Sequence, residues 1–126
     1  GAVRELDLAC RLAEEGGYID VLADSARALA EVELARGNVD AAVDRARSAI
    51  DAAERSKNAM FVAMAHATAM DALLAKLHAS RSREAFEKAR WHKEEACARL
   101  AALGQNNAAE SVARRFGQGS NATVDT

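Results

Sequence analysis

Apolar residues recur at three- and four-residue spacing along almost the whole chain, which places them on one side of an α-helix. Short clusters of glycine, asparagine and serine interrupt the pattern and divide it into six predicted helices. The first covers about Val3 to Glu15 and stops at Gly16-Gly17, where glycine can take the left-handed conformation that closes a helix. The second runs from about Tyr18 to Arg36 before Gly37, the third from about Asp40 to Ser56, and the fourth from about Ala59 to Ala79. Ser82 suits an N-cap for a fifth helix that reaches Leu103 before Gly104. Asn107, with Glu110 three positions on, has the spacing of a capping box and opens a sixth helix that ends near Gly117. Gln118 to Thr126 is small, polar and without period, and is expected to be a disordered tail behind one helical domain over residues 1–117.

The helices repeat in pairs. Laying Ala13-Glu14-Glu15 over Ala53-Glu54-Arg55, a shift of about forty residues, brings the following helices into register, and Arg99 to Asn106 begins a similar junction. A helical hairpin cannot bury its apolar face alone, so such repeats stack on their neighbours. Leu29-Ala30, Gly37-Asn38, Ala41-Ala42 and Ala49-Ile50 resemble the tetratricopeptide repeat in residue type and spacing, with a looser second copy in Ala85-Phe86 and Ala89. The resemblance implies that Ala30, Ala42 and Ala49 sit where the two helices of a hairpin touch, and that Gly37 reverses the chain. It implies an all-α fold, a right-handed stack of about three antiparallel hairpins forming a tetratricopeptide-like α-solenoid. Ala26 and Glu33 stand where the family has aromatics, its closing proline is missing around Glu54, and the second copy has no turn glycine. The forty-residue period is similar to the divergent repeats of bacterial signalling ATPases and LuxR-type transcription regulators.

Composition narrows the function. About a quarter of the residues are alanine, aromatics make up 4% and proline is absent, a balance suited to close-packed helices. A net charge of −2 offers no basic face to a phosphate backbone, so direct nucleic-acid binding is not expected. No apolar run is expected to approach the roughly 18 residues needed to cross a bilayer, and the N-terminus lacks a basic-then-apolar leader. The reading is therefore cytoplasmic, with no membrane contact; a start at Gly1 suits a segment of a longer protein.

No phosphate loop, dinucleotide fingerprint, HExxH or serine-elbow motif is present, so no catalytic residue, metal or cofactor is assigned. Cys10 and Cys97 lie in alanine-rich helical patterns and read as buried free thiols. His66 and His78 are twelve apart, about 120° around a helix, and cannot share a ligand; His92 with Glu95 is at most half a site, and the histidines read as solvated surface. Trp91 reads as half-buried packing or as an interface anchor, and Arg114-Arg115-Phe116 as a favourable charge at a helix end.

The candidate binding residues form two stripes. Asp20, Asp24, Arg27, Glu31 and Leu34 follow the 4-3-4-3 spacing of one face of the second helix. Met60, Met64, Ala67, Asp71, Leu74 and His78 form a more apolar stripe on the fourth, where methionines suit adaptable protein contacts unless they serve the core. In the resemblance these faces line a concave groove. The expected function is a protein-interaction or sensor module holding a protein or peptide partner, within a larger bacterial regulator. The alternatives are an inducer-binding domain and a homodimerisation module, the latter burying Leu6, Leu12 or Phe116 between chains.

Overall fold

A computed structural model describes residues 1–121 as six consecutive helices, with no strand among them. They are α1 (Ala2–Gly16), α2 (Ile19–Ala35), α3 (Val39–Ser56), α4 (Ala59–Ser80), α5 (Arg83–Ala102) and α6 (Asn106–Gly119). The boundaries expected for α1 to α5 hold to within one residue, because the stops are stereochemical. Gly17, Gly37 and Gly104 end their helices at positive φ of 74°, 81° and 75°. Lys57 and Arg81 do the same without being glycine, at 59° and 54°. Ser82 caps α5 as expected, its hydroxyl accepting from the Ala85 amide at 3.2 Å.

The sixth helix departs from the sequence reading at both ends. Its N-cap is Gln105, two residues before Asn107, and no side-chain hydrogen bond caps it, so Asn107 and Glu110 do not form a capping box. It continues through Gln118 to Gly119, which the sequence reading had placed in a disordered tail. Packing explains the extension: a Cβ on Gly119 would lie 2.8 Å from Leu74 Cδ1, so the end of α6 rests directly on α4. Residues 122–126 of that expected tail lie outside the described residues.

Connections of two or three residues fold each helix back on the one before it. Beyond these sequential contacts, the backbones of α2 and α4, and of α4 and α6, approach closely, whereas those of α1, α3 and α5 stay apart from one another. The even-numbered helices thus form one close layer and the odd-numbered helices a more open one. Arg45 of α3 reaches Asp7 of α1 at 3.1 Å and Arg55 reaches Glu14 at 3.6 Å, ion pairs that line the wide depression of about 830 Å3 between those two helices.

Central in this arrangement, α4 touches α2, α3, α5 and α6. Accordingly it is apolar all round, with buried residues on every side from Val62 to Leu77. Contrary to the expectation from sequence, it is long and apolar enough to cross a bilayer, with mean hydropathy 1.3; here its neighbours bury most of that surface. The core divides along it. One cluster joins α1 to α4 through Cys10, Leu22, Leu29, Ala53 and Val62. The other joins α4 to α6 through Met70, Leu77, Ala89, Leu100 and Val112. Ala30, Ala42 and Ala49 are at most 1% exposed, as expected of small residues at a helix crossing.

Candidate functional site

A groove of about 310 Å3 runs along the even-numbered layer. Its apolar part is made by Met60, Met64 and Ala67 of α4, with Val112 of α6. Both methionines are half-buried, so each keeps part of its flexible side chain uncovered in the groove. Thr68 is buried beside them, its hydroxyl donating to the Met64 carbonyl at 3.1 Å and lying 3.5 Å from Glu31 Oε1 on α2.

Fixed charges flank this strip. On the α2 side, Arg27 donates to Asp24 and to Glu31, each at 2.9 Å. On the α6 side, Arg115 donates through two nitrogens to both oxygens of Asp71, at 3.2 and 3.3 Å, and to the Ser111 hydroxyl at 3.2 Å. The two-pronged pair fixes the guanidinium plane and ties α6 to α4. Each carboxylate keeps lone pairs and each guanidinium keeps N–H groups, so the walls can still accept and donate to an extended backbone or a polar side chain.

Of the eleven residues in the two predicted stripes, the structure brings six to this groove: Arg27, Glu31, Met60, Met64, Ala67 and Asp71. Asp24 stands beside it as the partner of Arg27. Asp20 lies one turn further toward the start of α2, near Tyr18, Val21 and Arg55. Leu34 is half-buried and does not line the groove. Leu74 is buried in the second core cluster, under Gly119. Sequence spacing could not separate Leu74 from Met64, since the difference comes from α6 covering one and not the other. Arg115 was read only as a helix-end charge; its partner is 44 residues away, which no local pattern encodes.

The histidines also depart from the sequence reading. His78 is exposed, but His66 is only 2% exposed, and its Nδ1 lies 2.9 Å from Nδ1 of His92 on α5. One ring must donate and the other accept. The Nε2 of His66 is buried with no partner among the described residues. A buried orphan N–H is rarer than an orphan lone pair, so we assign the proton on His66 to Nδ1, which leaves His92 protonated at Nε2. Burial, reinforced by Arg99, lowers the His66 pKa. Burial and the neighbouring His66 ring lower that of His92 to about 4, so both imidazoles are neutral at pH 7. Glu95 pairs with Arg99 rather than with His92. No group of three metal-ligating side chains occurs among the described residues.

The remaining candidates resolve into packing or surface. Cys10 is buried and its thiol pKa is raised, chiefly by that burial, while Cys97 is half-buried with Sγ 3.5 Å from the Ala109 carbonyl. Leu6 packs on the first core cluster and Phe116 on the second, against Phe86, and both are half-buried. Leu12 is exposed, together with Leu8, Tyr18 and Val21. No family model matches the chain, and comparison with curated proteins and with solved structures likewise finds no match.

Proposed function

We propose that the chain is a protein-interaction module, and that the groove across α2, α4 and α6 takes an apolar segment of a peptide or protein partner. The observation that carries this reading is the pair of half-buried methionines between two fixed ion clusters. Thioether side chains adapt to varied apolar partners, while fixed charges at the edges set orientation. The mechanism is binding alone, without a bond made or broken.

The reading extends to architecture and context. The close contact of α2, α4 and α6, with α1, α3 and α5 held apart, supports a tetratricopeptide-like solenoid whose inner layer is the even-numbered set. Ala26, Leu29, Ala30, Glu33, Ala42 and Ala49, six of the positions that carry the resemblance or depart from it, are buried, while the turn residues Gly37 and Asn38 are exposed. In the family's bacterial regulators such stacks sit beside an output domain, and we assign this chain the same place, relaying occupancy of its groove.

A peptide-display selection against the chain tests the groove. Selected peptides should carry apolar anchors, and Met64→Lys should weaken them by roughly tenfold or more while leaving the melting temperature within a few degrees. Failure to select any peptide, or selection of peptides indifferent to Met64→Lys and to Asp71→Arg, would remove the groove from consideration.

A further inference from the structure

The opposite side of α4 carries a second, smaller cavity. Ala69 lies nine residues beyond Met60, two and a half turns of helix, so the two point to opposite sides of α4. The cavity measures about 260 Å3 and sits between α3 and α5, with α4 beneath. Val43, Ile50, Ala69 and Leu73 give it apolar walls, completed by the indole of Trp91. Its polar lining is His92, Arg47 and Lys88, with no carboxylate.

Three features of this lining point to a ligand. Trp91 is 53% exposed, yet its ring is held edge-on by His66 and His92, at centroid distances of 5.5 and 4.9 Å. A large ring that is already held but still uncovered loses little freedom when a ligand covers it. With its Nδ1 engaged by His66, His92 has an Nε2–H without a protein acceptor among the described residues. Arg47 is also loosely held, 3.8 Å from Asp44 with its side chain 70% exposed, whereas Lys88 is engaged by Glu84 at 2.7 Å. The charges of Arg47 and Lys88 both disfavour ionisation of His92, which places the three groups within one another's field.

We propose that this cavity binds a small apolar carboxylic acid, with its ring or branched chain against Trp91, Ile50 and Leu73 and its carboxylate accepting from Arg47 and from His92 Nε2–H. Apolar walls with a few convergent donors are the ordinary make-up of a small-molecule site, and the volume limits the ligand to about one ring. A neutral apolar molecule would leave both donors unanswered, and a bare inorganic anion would leave the walls uncovered. The site is independent of the groove on the other side of α4, and stands or falls without it.

Trp91 is the only tryptophan in the chain, so its emission reports on the cavity directly. The full chain is titrated with phenylacetate, with 2-phenylethanol as the uncharged counterpart and with inorganic phosphate as the bare anion. Phenylacetate should give a saturable change, the alcohol should bind roughly tenfold more weakly, and phosphate should give none. Arg47→Ala, at a largely exposed position, should fold normally and bring the acid down to the level of the alcohol. Amide shifts induced by phenylacetate should cluster on α3 and α5. The proposal is overturned by a response that does not saturate, by equal binding of acid and alcohol, by an Arg47→Ala chain that binds the acid unchanged, or by shifts centred on α2 and α6.

Discussion

Where α2 packs on α3, most of the buried residues are alanines, among them Ala30, Ala42, Ala46 and Ala49, none more than 1% exposed, with Leu29 beside them. Where α4 meets α5, Ala85, Ala89 and Ala96 again supply the small side, but Met70 and Leu77 fill the space opposite, and a buried and a half-buried imidazole meet at the crossing. The first seam is built mainly of alanines around one large fully buried side chain, Leu29, so added volume has little room. The second has volume to fill and polar atoms to satisfy. The two seams should therefore fail in opposite ways: the first when something is added, the second when something is removed.

The largest effects come from volume. Leu77→Ala, at a fully buried position of the second seam, should cost about 2–5 kcal/mol, from lost transfer energy and an unfilled cavity. Ala42→Leu in the first seam should cost about 1–3 kcal/mol, because the added atoms must push two helices apart. Urea unfolding of both variants checks the contrast. If Ala42→Leu proves neutral, the first seam has slack and the comparison fails.

Next come the imidazoles, which only the second seam has. Both have pKa values below the ordinary 6.5, that of His92 at about 4. Below pH 6.5 the unfolded chain therefore takes up more protons than the folded one, and stability falls as pH falls, until His92 ionises in place near pH 4. Thermal melts across that window should show this loss, and a His66→Leu/His92→Leu chain should lack this part of it. At pH 7, His92→Leu alone should cost about 1–3 kcal/mol by stranding Nδ1 of His66, and the double variant should recover most of it. A double variant as unstable as the single one would show that the rings matter as packing rather than as a hydrogen-bonded pair.

How much of this was legible follows the same division. Five helices and their ends could be read from sequence because periodicity, Gly17, Gly37, Gly104 and the Ser82 cap act within a few residues of one another. The burial of Ala30, Ala42 and Ala49 was legible for the same reason: small residues at helical spacing have few other uses. What was missed depends on pairs distant in sequence. His66 meets His92 across 26 residues and Arg115 meets Asp71 across 44; the apolar run around His66 did signal burial, but no local pattern encodes either partner. The end of α6 is helical because Leu74 lies beneath Gly119, whereas its own sequence reads as tail. Six of the eleven stripe residues reached the groove, since helical spacing selects a face but not the length of it that a neighbouring helix leaves open.

The smallest effect separates the two turns. Gly37 leaves α2 at φ 81° and Arg81 leaves α4 at φ 54°, so the same left-handed geometry is met once by glycine and once by a residue with a Cβ. That conformation costs a non-glycine residue about 1–2 kcal/mol, while glycine gives back roughly 0.5–1 kcal/mol through the greater freedom of the unfolded chain. Arg81→Gly should then stabilise by about 0.5 kcal/mol, near the limit of a careful melt. Gly37→Ala should destabilise by about the same amount, and for conformational reasons alone, because a Cβ there would meet nothing within 4 Å. Opposite signs in the two variants would show that both connections, though of different length, turn on one left-handed residue whose cost depends on whether it carries a Cβ. If Arg81→Gly is destabilising instead, the arginine side chain contributes to the second hairpin through solvent-exposed contacts that outweigh its backbone strain.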